Sequence, residues 1–412
     1  MLHLIFIIEL LLLGVIIYKY SIINPITLGY IIFFIYGQSF YIDNLFFDLE
    51  YLSLYGFNNI YIHDTKYIYV SLMYFIFFLG YSITPIVCSN YKYKYQYVLY
   101  PKNIIKNNII LYISIFILGW YLYTTKDFSR ELKTEWLQSH KIITFSLNII
   151  GYIWIISFLK KKNSNKSSYL IYFMTILFIL FALYDGGREL FIYIILCILF
   201  MKFERFNSLV LIIVGMVLLF ILTIWKAFFV YIIMNGFDYE KFIHWFELRY
   251  YFSLSNSDPK SSLFLIYSYF NESNEVFYSK FGLTYIENVL GQILRAFKLI
   301  EYPSLGEQVA MYFQGVSQKG KGIAFSGILE SILNFWYFGP FFFGLFLGYI
   351  TKKVNDIKYF DQYKYNILSL FIIIIMFKLV RTEVAVVLKI YIVPMAIAYF
   401  LIFKNSYIYK SN

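Results

Sequence analysis

Glu330 and Asn334 are the pair in this chain whose types and spacing are best suited to chemistry. Four residues apart, they share one face of any helix that holds them. A carboxylate with an amide one turn away can take a proton, orient a hydroxyl or fix an arginine. The pair stands in Phe325-Ser-Gly-Ile-Leu-Glu330-Ser-Ile-Leu-Asn334-Phe-Trp-Tyr-Phe-Gly339-Pro340, which continues as an apolar run to Gly348. A carboxylate at the end of such a run is costly unless it faces a polar cavity or a partner. The plain alternative is a structural pair at the helix entrance.

Cations make the second set. Arg188 lies in Asp185-Gly-Gly-Arg188-Glu189, a tight turn between apolar runs, and Arg381 lies in Arg381-Thr-Glu383, with Lys378 three residues before it. Arg249 and Arg295 fall in a long hydrophilic stretch. Guanidinium forks match phosphate oxygens and hold them bidentately, so this set suits a pyrophosphate. The competing reading is internal neutralisation, of Arg188 by Asp185 or Glu189 and of Arg381 by Glu383.

Less chemistry is offered elsewhere. His3, His63, His140 and His244 have no metal-ligand spacing, so no metal is expected. His244, beside Trp245 and Glu247, is either a general base or a solvated loop histidine. Cys88 and Cys197 form no metal or disulfide pattern. No Gly-Lys-Ser/Thr phosphate loop and no dinucleotide fingerprint occurs, so no cofactor is expected.

The elements that must position these residues are membrane spans. With 60% hydrophobic residues, 14% charged residues and a mean hydropathy of +0.66, the chain cannot clothe a soluble globule in polar surface. Apolar stretches fall near 2–18, 22–42, 67–88, 108–123, 142–159, 168–184, 189–201, 207–226, 327–351, 364–380 and 386–403. They predict an all-α polytopic protein of about eleven transmembrane helices, in which the first run stays as a span. The net charge of +11 sits between the runs and sets topology, with no basic stripe for nucleic acid. Among the short loops, one alternating set carries 17 basic residues, among them Lys160, Lys161 and Lys162, and the other carries 7. The first set is expected in the cytoplasm, with the N-terminus outside and the C-terminus inside.

Three regions follow: spans 1–8 in 1–234, a large external loop in 235–326, and spans 9–11 in 327–412. A loop of that length is expected to fold and to carry function. Within it Leu283, Ile286, Val289, Leu290, Ile293, Leu294, Phe297 and Ile300 recur at helical spacing, with Asn288, Gln292 and Arg295 on the opposite face. The pattern predicts an amphipathic helix, lying on the membrane surface or packed against the bundle.

The Glu330–Asn334-Phe segment before a Gly-containing apolar run resembles the late span of the Wzy-type oligosaccharide repeat-unit polymerases. Asn24-Pro25 at the start of the second run, the multi-span layout with one large late loop, and Arg295 followed after ten residues by Gly306 are similar to that family. The Pro-Arg element frequent in its large loop appears here only as Tyr302-Pro303. The resemblance implies a glycosyltransferase of the bacterial inner membrane with its site facing outward. It would join undecaprenyl-pyrophosphate-linked glycan donor and acceptor units into O-antigen or capsule-like polysaccharide, without a metal. The implied partners are those lipid-linked glycans, membrane lipid and a chain-length regulator protein. In the assignment that follows, Glu330, Arg188 and Arg381 are catalytic, and Arg295, Asn334, Lys378 and Arg249 bind substrate. An O-antigen ligase and a lipid-linked oligosaccharide flippase fit the same charges and spans.

Overall fold

The computed structural model describes residues 1–52, 60–87, 97–101, 104–125, 139–160, 168–185, 259–271, 282–296, 303–314, 325–359, 361–403 and 406–410, with a few isolated positions between them. Nearly all of this is helix. The helices are α1 (Leu2–Tyr20), α2 (Pro25–Phe47), α3 (Thr65–Val87), α4 (Ile104–Thr124), α5 (Lys141–Lys160) and α6 (Ser168–Asp185). After them come α7 (Pro259–Asn271), α8 (Leu283–Ala296), α9 (Leu305–Gln314), α10 (Gly327–Phe335), α11 (Gly339–Asp356), α12 (Gln362–Leu379) and α13 (Val384–Phe403). Among the described residues, seven helical stretches are long and apolar enough to cross a membrane. The expected runs at 189–201 and 207–226 lie almost wholly outside the described residues.

The all-α reading holds for the described residues, with two local irregularities. Short antiparallel pairs join Tyr51–Leu52 (β1) to Ile60–Tyr61 (β2), and Tyr97–Pro101 (β3) to Ser406–Lys410 (β4). The expected span at 327–351 contains a helix break: α10 ends at Phe335, a 3₁₀ turn occupies Trp336–Phe338, and α11 begins at Gly339. Trp336 takes φ 50°, left-handed space that a bulky residue rarely enters. A Cβ at Gly339 would collide with the Ser331 carbonyl, so only glycine lets the chain turn back this closely.

The described residues fall into two units. The first comprises Met1–Ser89, Ile212–Lys353 and Ile373–Val387. Its centre is the packing of α1, α2 and α3 with α11. Gly344 and Gly348, four apart on α11, lie directly on the Phe77 and Tyr81 backbone of α3, and Gly80 of α3 lies on Phe341. Without a side chain at these points the two backbones touch, the small-residue device by which helices pack in lipid. Asn24 caps α2 by accepting from Ile26 N–H at 2.9 Å, with Pro25 as the first helical residue. At the far end of α3, Lys19 Nζ donates to the Pro85 and Ile86 carbonyls, both at 2.8 Å, which satisfies terminal oxygens that have no partner in the helix.

The second unit comprises Asn90–Leu211, Val354–Ile372 and Leu388–Asn412. Here α5 packs on the last turns of α13. Trp154 of α5 donates to Thr175 of α6 at 3.0 Å, and Tyr363 donates to the Ile156 carbonyl at 2.9 Å. The described residues of the candidate site belong to the first unit.

A carboxylate-rich candidate site at the end of the first unit

The site begins with helix ends. Ser326 caps α10, accepting from Leu329 N–H at 3.2 Å, and Glu330 follows in the first turn. Both Glu330 and Asn334 are fully buried. The Asn334 amide donates back to the Glu330 carbonyl at 2.7 Å, while its oxygen accepts from Thr284 N–H at 3.2 Å at the start of α8. The spacing does set the two residues on one face. Their side chains then diverge, Asn334 to α8 and Glu330 to the N-terminus of α13, where Oε2 accepts from Val384 N–H at 2.7 Å. Asn288 of α8, also fully buried, lies beside the Glu330 carboxylate. Oε1 of Glu330 has no hydrogen-bond partner among the described residues.

A second carboxylate joins it. Glu383, 2% exposed, directs Oε2 to Leu305 N–H at 2.7 Å, at the N-terminus of α9, rather than to Arg381. Its Oε1 likewise has no hydrogen-bond partner among the described residues. Each acid therefore caps a helix supplied by another segment, where the helix dipole favours negative charge. Burial first, and then the neighbouring Glu330 carboxylate, push Glu383 up to about 8. The direction of the shift favours the protonated form, which can act as a donor. Burial, followed by the same Glu330 charge, raises the Tyr285 phenol of α8 well above its ordinary value, so Tyr285 also remains a donor.

Arg295 is committed within the loop. Its Nη1 and Nη2 fork onto Glu307 at 2.6 and 3.2 Å. Glu307 also accepts from Ser304 N–H at 2.8 Å while donating its own N–H to Ser304 Oγ at 3.3 Å. That is a capping box at the start of α9. The fork ties the end of α8 to the start of α9, so Arg295 acts as a brace for the loop in this structure.

The turn after α12 carries the remaining cations. Lys378, almost fully buried, and Arg381 stand over the Phe377 ring at 5.9 and 5.8 Å from its centroid. Ser262 of α7 fixes the turn by donating to the Val380 carbonyl at 3.0 Å. Arg381 and Glu383 thus come from one turn that also meets α7, α9 and α10. Arg188 and Arg249, expected in the same set, lie outside the described residues.

The amphipathic helix forms over Leu283–Ala296 and reverses the ordinary arrangement. Leu283, Ile286, Leu290 and Leu294 are exposed, while Thr284 and Asn288 are buried. The polar stripe packs on α10 and on the start of α13; the apolar stripe faces outward. Exposed Phe335, Trp336, Tyr337 and Phe338 stand at the helix break beside it, with Phe335 against Gly282. An outward apolar stripe beside a cluster of aromatic rings is what a lipid–water boundary selects.

Sequence reasoning overlooked Glu383 as a buried site carboxylate and Glu307 as the partner of Arg295. Ser304-x-x-Glu307 is a readable capping signal. Nothing in the local text around Glu383 announces its burial. No group of three or more His, Cys, Asp or Glu is placed to hold a metal ion among the described residues. No family model, no curated protein and no solved structure matches the chain.

Proposed function

We propose that this chain polymerises lipid-pyrophosphate-linked oligosaccharide repeat units into an O-antigen or capsule-like polysaccharide, at the outer face of a bacterial inner membrane and across about eleven spans. The observation that carries the reading is the gathering of Glu330, Glu383, Asn288, Asn334 and Tyr285 beneath the folded loop, next to a turn that bears Lys378 and Arg381. Apolar side chains surround this polar cluster, and a lipid-facing stripe covers it. A lipid-linked glycan poses the same combination of demands.

In this scheme an acceptor hydroxyl attacks the anomeric carbon of the donor sugar. The carbon–oxygen bond to the pyrophosphate breaks, and the lipid pyrophosphate leaves with the electron pair. Glu330 takes the hydroxyl proton through Oε1, while Oε2 stays on Val384 N–H. Arg381 and Lys378 balance the charge that gathers on the leaving group, with Arg188 and Arg249 as further candidates. Glu383, holding a proton, and Tyr285 supply donors to sugar hydroxyls. Arg295 braces the loop through Glu307, and no metal or cofactor is required in this scheme.

Deletion of the gene tests the reading against its rivals. A polymerase predicts that lipid-linked or surface glycan persists as single repeat units and that the long polymer disappears. Loss of all surface glycan favours a flippase, and intact long polymer left on its lipid carrier favours a ligase.

A further inference from the structure

A further buried carboxylate lies in α1, apart from Glu330 and Glu383 of the site just described. Glu9 is midway along α1, whose buried positions are Ile5, Glu9, Ile16 and Tyr20 only. The helix therefore turns most of its surface outward and one narrow seam inward. The carboxylate sits on that seam and is fully buried. Gln38 of α2 donates to Oε2 at 2.8 Å, and the Tyr30 hydroxyl of α2 donates to the Glu9 backbone carbonyl at 2.8 Å. Oε1 has no hydrogen-bond partner among the described residues.

The facing side of α3 is lined with hydroxyls. Tyr67, Ser71 and Tyr74 follow one another at i, i+4 and i+7 on one face, all buried, and among the described residues none has a well-formed hydrogen bond at its hydroxyl. Tyr74 lies flat against α2 because position 37 is glycine; a Cβ there would strike its ring. The file starts at the first turn of α3 and covers about 10 Å of helix, at about 1.5 Å per residue. The titratable groups that act on or are acted on by Glu9 are Tyr30, Tyr67 and Tyr74. His3 and Tyr41 contact each other nearer the same end of the bundle, and Asp43 is buried two residues further along α2. Among the described residues no basic side chain neutralises Glu9.

We propose that Glu9 is an exchangeable proton-binding site within the membrane spans, reached along the Tyr67–Ser71–Tyr74 hydroxyl file. Ionisable groups buried in spans are rare and costly, and chains of hydroxyl and carboxyl groups there serve as proton paths. A bound proton on Oε1 satisfies the open oxygen by donating to a hydroxyl of the file. Its release leaves a charge that, among the described residues, only Gln38 supports by a side-chain hydrogen bond, so occupancy is coupled to how closely α1 packs on α2 and α3.

The test uses the intact chain in lipid nanodiscs and a membrane-soluble carbodiimide. This reagent adds across a protonated carboxyl group to give a stable acylurea, with no leaving group, and does not react with the carboxylate. Peptide mapping by mass spectrometry should locate an adduct at Glu9 that is absent from Glu9→Gln. Above the titration midpoint its extent should fall about tenfold per pH unit, as expected for one proton. Added sodium ions should leave labelling unchanged. No adduct at Glu9 across the pH range, or an adduct independent of pH, would refute an exchangeable proton. Protection by sodium at constant pH would also overturn the proposal and assign a metal cation to the same oxygens.

Discussion

Replacing Glu383 by Gln tests the electrostatics of the candidate site without removing its hydrogen bond. Gln retains an oxygen for Leu305 N–H, at 2.7 Å in the native chain, but cannot ionise. The folded state raises Glu383 from 4.5 to about 8. One pH unit corresponds to about 1.4 kcal/mol, so the linked contribution reaches at most about 5 kcal/mol. The sign follows from proton binding: the folded chain binds this proton more tightly than the unfolded chain. The contribution is therefore complete below 4.5 and is lost as pH rises through about 8. Thermal unfolding in detergent, followed by tryptophan fluorescence across that window, should show the native chain losing stability with rising pH. The Gln variant should show a shallower decline and should be the more stable of the two above pH 8. Parallel pH profiles for the two proteins would refute the assignment of a protonated Glu383, and with it the donor role given to that residue.

Other outcomes follow from the same geometry. Arg295→Ala should cost about 1–3 kcal/mol of stability by leaving the largely buried Glu307 without its fork, and Arg295→Lys should recover only part; an unchanged melting temperature would remove the brace. Gly348→Leu should prevent α11 from lying on the Tyr81 backbone and sharply lower the yield of folded protein, whereas a normal yield would refute the direct backbone contact. Arg381→Ala and Lys378→Ala should each slow polymer formation by about 10²–10³-fold at matched abundance if they face developing charge; normal polymer in both would end the pyrophosphate role. Cysteines at Ser164 and Ser257 should react oppositely with an impermeant thiol reagent on spheroplasts, Ser257 labelled and Ser164 not, and the reverse pattern would invert the orientation.

The helices were legible where burial and composition agree. Asn24-Pro25 announces the start of α2 because the amide caps and the proline suits the first turn. Hydropathy predicts the span at 327–351 but does not register the helix break at Trp336–Phe338 within it; the signal for that break is Gly339, whose lack of a side chain permits contact with Ser331. Glu330 and Asn334 were visible as a pair through their spacing, but their partners come from Thr284, Asn288 and Val384, 50 or more positions away except for Asn288. No local pattern encodes such contacts. The helix at 283–296 was legible as amphipathic, yet which face turns inward depends on what surrounds it. Here the apolar stripe faces outward and the polar stripe packs inward to build the site. Glu383 illustrates the same limit: beside Arg381 in sequence, it turns away to cap α9.

The most direct measurement of the central claim is product length from the purified chain in nanodiscs, supplied with one lipid-pyrophosphate-linked repeat unit as both donor and acceptor. A polymerase predicts a ladder of lipid-linked products differing by one repeat unit, with release of free lipid pyrophosphate in step. Glu330→Gln, which keeps an acceptor for Val384 N–H, should slow the ladder by about 10²–10⁴-fold as a lost general base. No ladder from the native chain with an authentic repeat unit would contradict the polymerase assignment, and a ladder from Glu330→Gln at the native rate would remove Glu330 from the reaction.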